Sequence, residues 1–219
     1  LSDYSTKCII VKVTFVIENN KEKQMAKAQF NRSEVIEKST ELFWKNGFKA
    51  SSMEQVVKAT GLQPGSIYYS FGNKQALYRE SLENYARKRM AAMHRVLDEA
   101  PSVGEGICKI LESAVAESVQ EDYCSCFLVK TRLELAAEKN DLYEYASSKL
   151  NEVEGLIESY LKKEFSKKVS QKRAASIMLH LFGVRVYGYR NGSVDRMRQG
   201  LREGLPWLPW EKVEAPATD

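Results

Sequence analysis

The sequence predicts an all-α fold in two parts, a small N-terminal three-helix module followed by a larger C-terminal helical body. Three observations carry this. From residue 32 onward apolar residues recur at three-to-four spacing. The breaks in that rhythm fall on helix-stop and helix-start residues, namely Asn46-Gly47, Thr60-Gly61 and Gly72-Asn73. The one β-branched stretch, residues 8–17, would be a strand with nothing to pair with. The chain has 219 residues, 43% hydrophobic and 28% charged, with 12 Gly and 5 Pro, which excludes collagen-like and broadly disordered classes. No apolar run approaches the ~20 residues that span a bilayer, so no membrane partner is expected. The cysteines, Cys8, Cys108, Cys124 and Cys126, are too unevenly placed for a disulfide scaffold, and the expected compartment is the reducing cytoplasm.

The elements follow in order. Residues 1–24 are expected to be an extension outside the native fold, because Met25-Ala-Lys-Ala-Gln-Phe30 reads as a natural start just before the first helix. Ser33 is placed as the N-cap of that helix, with Val35, Ile36, Ser39, Leu42 and Phe43 on one face. Ser51-Ser52-Met53-Glu54 reads as a capping box, with Glu54 three residues after Ser51, and opens a short second helix. A third short helix runs from Gln63 or Pro64 to Ser70, and Asn73 caps a long fourth one from 74 to about 97. After the linker at 101–106, helical segments are predicted at 103–120, 125–138, 141–165, 170–190 and 194–204. Segment 170–190 is apolar on nearly every side, which predicts burial in a core or between subunits. The expected domains are therefore 25–78 and 79–206, with a tail at 207–219 whose start Trp207 and Trp210 can pin.

Charge is unevenly shared. Residues 31–90 hold ten basic and six acidic side chains, net +4, whereas residues 91–219 hold 18 and 20, net −2. A basic N-terminal module on a slightly acidic body is what a polyanion-binding domain with a separate partner domain would show.

The run from Ser51 to Tyr78 carries the sharpest signal. A capped short helix, a glycine turn at Thr60-Gly61-Leu62 and a second short helix with a polar leading edge predict a helix-turn-helix. Ile67 and Phe71, one turn apart, must face a core made with Val56, Val57, Leu42 and Phe43. Gln63, Pro64, Gly65 and Ser66 are left at the exposed N-terminal end, where an amide can read an adenine edge and a glycine lets the backbone approach. Tyr68, Tyr69 and Ser70 on the flanks, Lys74 at the next helix start, and Ser51 and Ser52 at the second helix are the expected phosphate contacts.

Phe43-Trp-Lys-Asn-Gly-Phe48, Ser51-Ser-Met-Glu-Gln-Val56 and Thr60-Gly-Leu-Gln-Pro-Gly-Ser-Ile-Tyr-Tyr-Ser-Phe71, followed by Asn73-Lys74-Gln-Ala-Leu77, resemble the TetR family of bacterial transcriptional regulators. The resemblance covers residues 32–80, and Cys124-Ser-Cys-Phe-Leu-Val129 with Glu134-Leu-Ala136 is similar to a sequence opening the sixth helix in one branch. It departs at Ser70, where family members often carry His. The resemblance implies a homodimer joined through residues 170–204, a palindromic double-stranded DNA operator, and a small hydrophobic or aromatic ligand in the body. Phe127, Arg132, Tyr160, His180, Phe182, Arg185 and Tyr187 are the candidate ligand contacts.

The function expected is a sequence-specific transcriptional repressor released from its operator by a small molecule. The rival is a ligand-independent structural or division-control protein on the same scaffold. No cofactor, metal site or catalytic residue is expected, since two histidines, no phosphate loop and no nucleophile–base pair leave catalysis without its groups. Cys124-x-Cys126 lacks a second Cys/His pair for zinc and is read as the start of a buried helix, with redox sensing as the lesser alternative.

Overall fold

The computed structural model describes residues 31–120 and 122–213. The predicted extension, and the strand predicted at 8–17, lie outside the described residues, as does the end of the tail beyond 213. Among the described residues the chain is all-helical: α1 Arg32–Asn46, α2 Met53–Thr60, α3 Pro64–Phe71, α4 Lys74–Glu99, α5 Val103–Glu117, α6 Phe127–Glu134, α7 Asp141–Leu161, α8 Lys167–Tyr187 and α9 Val194–Gly204, then a 3-10 turn at Trp210–Lys212.

Local chemistry sets the boundaries, and it moves two predicted caps. The N-cap of α1 is Asn31, not Ser33, its side chain accepting from the Ser33 and Glu34 amides. The capping box of α2 is Ser52 with Gln55, one residue later than Ser51 with Glu54. Ser51 cannot cap because its hydroxyl is buried and donates to the Gly47 carbonyl at 2.6 Å, closing the α1–α2 turn. Pro64 opens α3, where its missing N–H costs nothing. Asn73 caps α4 through the Ala76 amide. Segment α6 is shorter than the predicted 125–138, whereas α8 starts three residues earlier than expected, after Ser166.

The buried apolar side chains form two clusters. One runs from the α1–α4 module into α6 and α7, joining Phe43, Val56, Ile67 and Leu77 to Phe127, Leu135 and Leu142. Tyr78 is its hub, ringed by Phe43, Phe48 and Phe127 with centroids 4.9–5.2 Å away. Its hydroxyl meets Thr131 Oγ1 at 2.8 Å, and burial pushes its pKa upward. The other cluster fills the space between α5, the C-terminal part of α7, α8 and α9. The start of the tail docks on it: Leu208 and Trp210 are buried, and Trp210 Nε1 donates to the Leu205 carbonyl at 2.9 Å.

Segment α8 is not buried all round in the single chain. Ala174, Ile177, Met178 and Val184 face the core, while Leu179 is 70% exposed and Val186 55%. Beside this outward apolar face a groove of about 410 Å³ runs between α8 and α9, lined by Leu179, Gly183, Tyr187, Met197 and Gly200 among others.

Candidate nucleic-acid interface

The head is built so that its apolar groups hold α3 from behind. Ile67 is fully buried and Phe71 nearly so, against Val56 and Phe43; Val57 and Leu42 are only half-buried. The turn ahead of α3 is set by Gly61 at φ +74, a left-handed conformation that favours glycine. Thr60 ties this turn, donating to the Val56 carbonyl and accepting from the Leu62 amide.

The outward edge of α3 is then polar and uncharged. Gln63, the N-cap residue, is exposed and makes no side-chain capping bond, so its amide points its donor and acceptor outward. Pro64 and Gly65 are exposed, and a Cβ on Gly65 would meet nothing within 4 Å. The fold itself does not require a glycine at 65, so close approach from outside is what the position suits. Ser66 and Ser70 are half-buried, while Tyr68 and Tyr69 are 48% and 77% exposed.

Three expected phosphate contacts stand differently from the sequence reading. Ser51 is buried and spent on Gly47, so its hydroxyl is no surface donor. Ser52 is exposed, but its hydroxyl caps the Gln55 amide. Lys74 Nζ donates to the carbonyls of Phe48 and Ser51, both at 2.8 Å, and lies 4.3 Å from the Phe48 ring centroid. It is a strut between the start of α4 and the α1–α2 turn. Charge elsewhere in the head is similarly engaged. Six of its ten cations are in ion pairs: Arg32–Glu80, Lys38–Glu34, Lys45–Asp122, Lys49–Glu138, Lys88–Glu37 and Arg89–Glu117.

Three of those pairs cross to the body, and α6 with the loop before it adds a firmer joint. Glu134 accepts from the backbone amides of Phe48 and Lys49 at 2.9 and 2.7 Å. Lys130 Nζ donates to the Trp44 carbonyl, and Trp44 Nε1 donates to the Ser125 carbonyl. Ser125 Oγ in turn donates to the Arg185 carbonyl on α8 at 2.7 Å. Gly47 makes room for this joint: it sits at φ +82, and a Cβ there would lie 2.7 Å from the Glu134 carboxylate.

A cavity of about 130 Å³ lies in the body between α4, α5, α6, α7 and α8. Of the seven predicted ligand contacts, Phe182 and Arg185 line it. Phe127 is packed away against Tyr78 and Tyr85. Arg132 stacks on Tyr143 at 5.9 Å, and Tyr160 bonds His94 and Asp98. His180 and Tyr187 line the outer α8–α9 groove instead, with His180 Nδ1 on the Ser176 carbonyl at 2.8 Å. Sequence reasoning missed Tyr85, Arg89, Glu117, Cys126 and Met178, which also line the cavity. A signal existed in α4, where Tyr85, Arg89, Met93 and Val96 follow helical spacing on one face. Among the described residues no three His, Cys, Asp or Glu converge as a metal site, and no helix is long and apolar enough to cross a membrane.

Residues 35–80 match the family of bacterial regulatory proteins, tetR family. Over 136 residues, 60% of this chain, the sequence is 27% identical to the HTH-type transcriptional repressor ComR of Escherichia coli (strain K12), covering 64% of that protein. It is 28% identical over 101 residues to the HTH-type transcriptional repressor BdcR of the same organism, covering 46% of this chain and 51% of that protein. The matches thus span less than two thirds of the length of these curated relatives. Among solved structures, a cysteine-substituted TetR family transcriptional regulator CifR complexed with 26-bp double-strand operator DNA superposes with a TM-score of 0.69 at 23% identity, over 82% of this chain and 97% of that one. A TetR-family transcriptional regulator from Streptomyces coelicolor gives a TM-score of 0.71 at 12% identity, over 81% and 95%. These likenesses establish the fold.

Proposed function

We propose that this chain, a TetR-family protein by its N-terminal domain and its fold, is a sequence-specific DNA-binding transcriptional repressor that works as a homodimer in the cytoplasm. The outward edge of α3 carries the reading. Gln63 offers an uncapped amide beside a proline and a glycine with open space around it, on a helix held only from its apolar side. That is the shape of a helix entering a major groove by its N-terminal end. Tyr68, Tyr69, Ser66, Ser70 and Ser52 border the same edge and supply hydroxyls to the backbone. The third N–H of Lys74 remains for a phosphate, after the two that it gives to carbonyls.

The outward apolar face of α8 and its groove with α9 support dimerisation through residues 170–204, which would place two heads on a palindromic operator. The body cavity supports a small hydrophobic or aromatic ligand, and α6 supports a route from that cavity to the head. Cys126 lines the cavity at one end of α6, and Glu134 holds the head at the other. A ligand that favours one setting of α6 would shift the spacing of the heads.

Selecting binding sites from random duplexes tests the reading. Gln63→Ala should relax preference at a single position of each half-site, at a cost of about 1–3 kcal/mol there, and leave folding stability intact. An unchanged consensus in the variant would remove base reading from Gln63, and no selected consensus from the parent chain would sink the function.

A further inference from the structure

The body cavity is apolar along most of its wall, including Met93, Val96, Ile110, Val153 and Phe182, and charged at one end. There, Arg89 clasps Glu117 through both guanidinium nitrogens, at 2.8 and 2.9 Å. Arg185 reaches the same carboxylate from α8 through Nη1 at 2.6 Å. Arg185 and Glu117 side chains are only 12% and 23% exposed. Burial pushes the Glu117 carboxyl toward protonation, and the two guanidiniums outweigh it, so the group stays below its ordinary range and is ionised at neutral pH. Within this hydrogen-bonded cluster two full positive charges thus face one negative charge at the edge of an apolar space. A buried excess charge is costly unless something compensates it.

We infer that this cavity binds a small amphipathic monoanion, one aromatic ring or short branched chain bearing a single carboxylate, with the carboxylate on Arg185 and the apolar part toward Phe182. The inference rests on the ligand-responsive reading above and names the chemistry of that same site. Three features favour this class. A carboxylate restores neutrality to the Arg89–Glu117–Arg185 cluster. Arg185 spends only Nη1 on Glu117 and also meets the Tyr123 hydroxyl, which leaves its remaining N–H groups for a carboxylate. The volume, about 130 Å³, suits a single ring, since an apolar cavity of about 150 Å³ holds benzene. Lys109, an exposed residue that also lines the cavity, adds to the positive excess, and a cationic ligand would add to it further.

Isothermal titration of the full chain, free of DNA, with benzoate and with its neutral isostere benzamide separates the possibilities. Benzoate is expected to bind at least about tenfold more tightly, the scale of one charge-assisted hydrogen bond. Arg185→Met should bring the two ligands within about threefold of each other. Because that variant could fail to fold, Arg185→Lys serves beside it: it keeps the charge, loses the fork, and should give an intermediate preference. Equal or tighter binding of benzamide overturns the inference, as does binding of neither probe at 10-fold molar excess over millimolar protein. A benzoate preference undiminished in a folded Arg185 variant also overturns it. A parallel gel shift on selected duplex, without either probe, reports the DNA-binding reading separately, so the two can fail independently.

Discussion

At the outward edge of α3 there is no charged side chain at all, whereas at the meeting of α4, α5 and α8 three full charges are turned inward on one another. The difference shows where this protein keeps its electrostatics. At the α3 edge the uncapped Gln63 amide, a group without fixed charge, stands in water, where it loses little by lacking a capping bond. At the cavity, Glu117 and Arg185 are largely withdrawn from water and Arg89 partly so, and the three satisfy each other. The head's surface cations are largely occupied too, several by body acids such as Asp122 and Glu138. The net +4 of residues 31–90 therefore overstates the positive field available to a polyanion. Many of those charges tie parts of the chain together.

The inward end should break hardest. Glu117→Ala leaves two guanidiniums facing each other without their carboxylate and is expected to cost about 3–5 kcal/mol in urea unfolding. Acid should reach the same interaction in the parent chain. Because the folded carboxyl lies below its ordinary value of 4.5, its contribution is complete at neutral pH and fades as pH falls through that lower folded value. Glu117→Gln should flatten this acid limb of the stability profile. The joint comes next: Glu134→Ala orphans the Phe48 and Lys49 amides and should cost about 1.5–3 kcal/mol of interaction with a charged acceptor. Hydrogen exchange at those two amides should quicken while the Tyr78 core stays protected. The smallest effect sharpens the other end. Ser52→Ala removes the cap of α2 and should cost about 1 kcal/mol, without altering which bases Gln63 prefers.

Much of this was legible in the sequence, and for local reasons. Helices α1 to α4 announce themselves through periodicity and through Gly47, Gly61 and Asn73 at their ends. The caps slipped where two candidates stand close together. Ser51 and Ser52 are the same residue type, and only the folded turn shows that the first is used up on Gly47. Lys74 read as a surface charge because sequence cannot show two carbonyls converging on it. The charged cavity was least legible. Arg89, Glu117 and Arg185 come from three helices far apart in the chain, and each alone resembles a charge on the rim of an amphipathic helix. Of the α8 residues singled out, Phe182 and Arg185 line the cavity while His180 and Tyr187 line the outer groove, because the sequence does not show which side of α8 faces inward. Tyr160, near the far end of α7, is taken up by His94 and Asp98 instead.

The room beside Gly47 has one more consequence. The Glu134 carboxylate can swing aside, being the end of a flexible side chain, but only by letting go of both amides it holds. A methyl group at position 47 and a latched Glu134 therefore compete for the same space. A Gly47→Ala chain would carry backbone strain at φ +82 and lose this latch, while the Trp44–Ser125 and Lys130–Trp44 bonds and the shared apolar cluster still joined the two parts. The absence of a single carbon atom is what lets Glu134 add its two amide contacts to that hold.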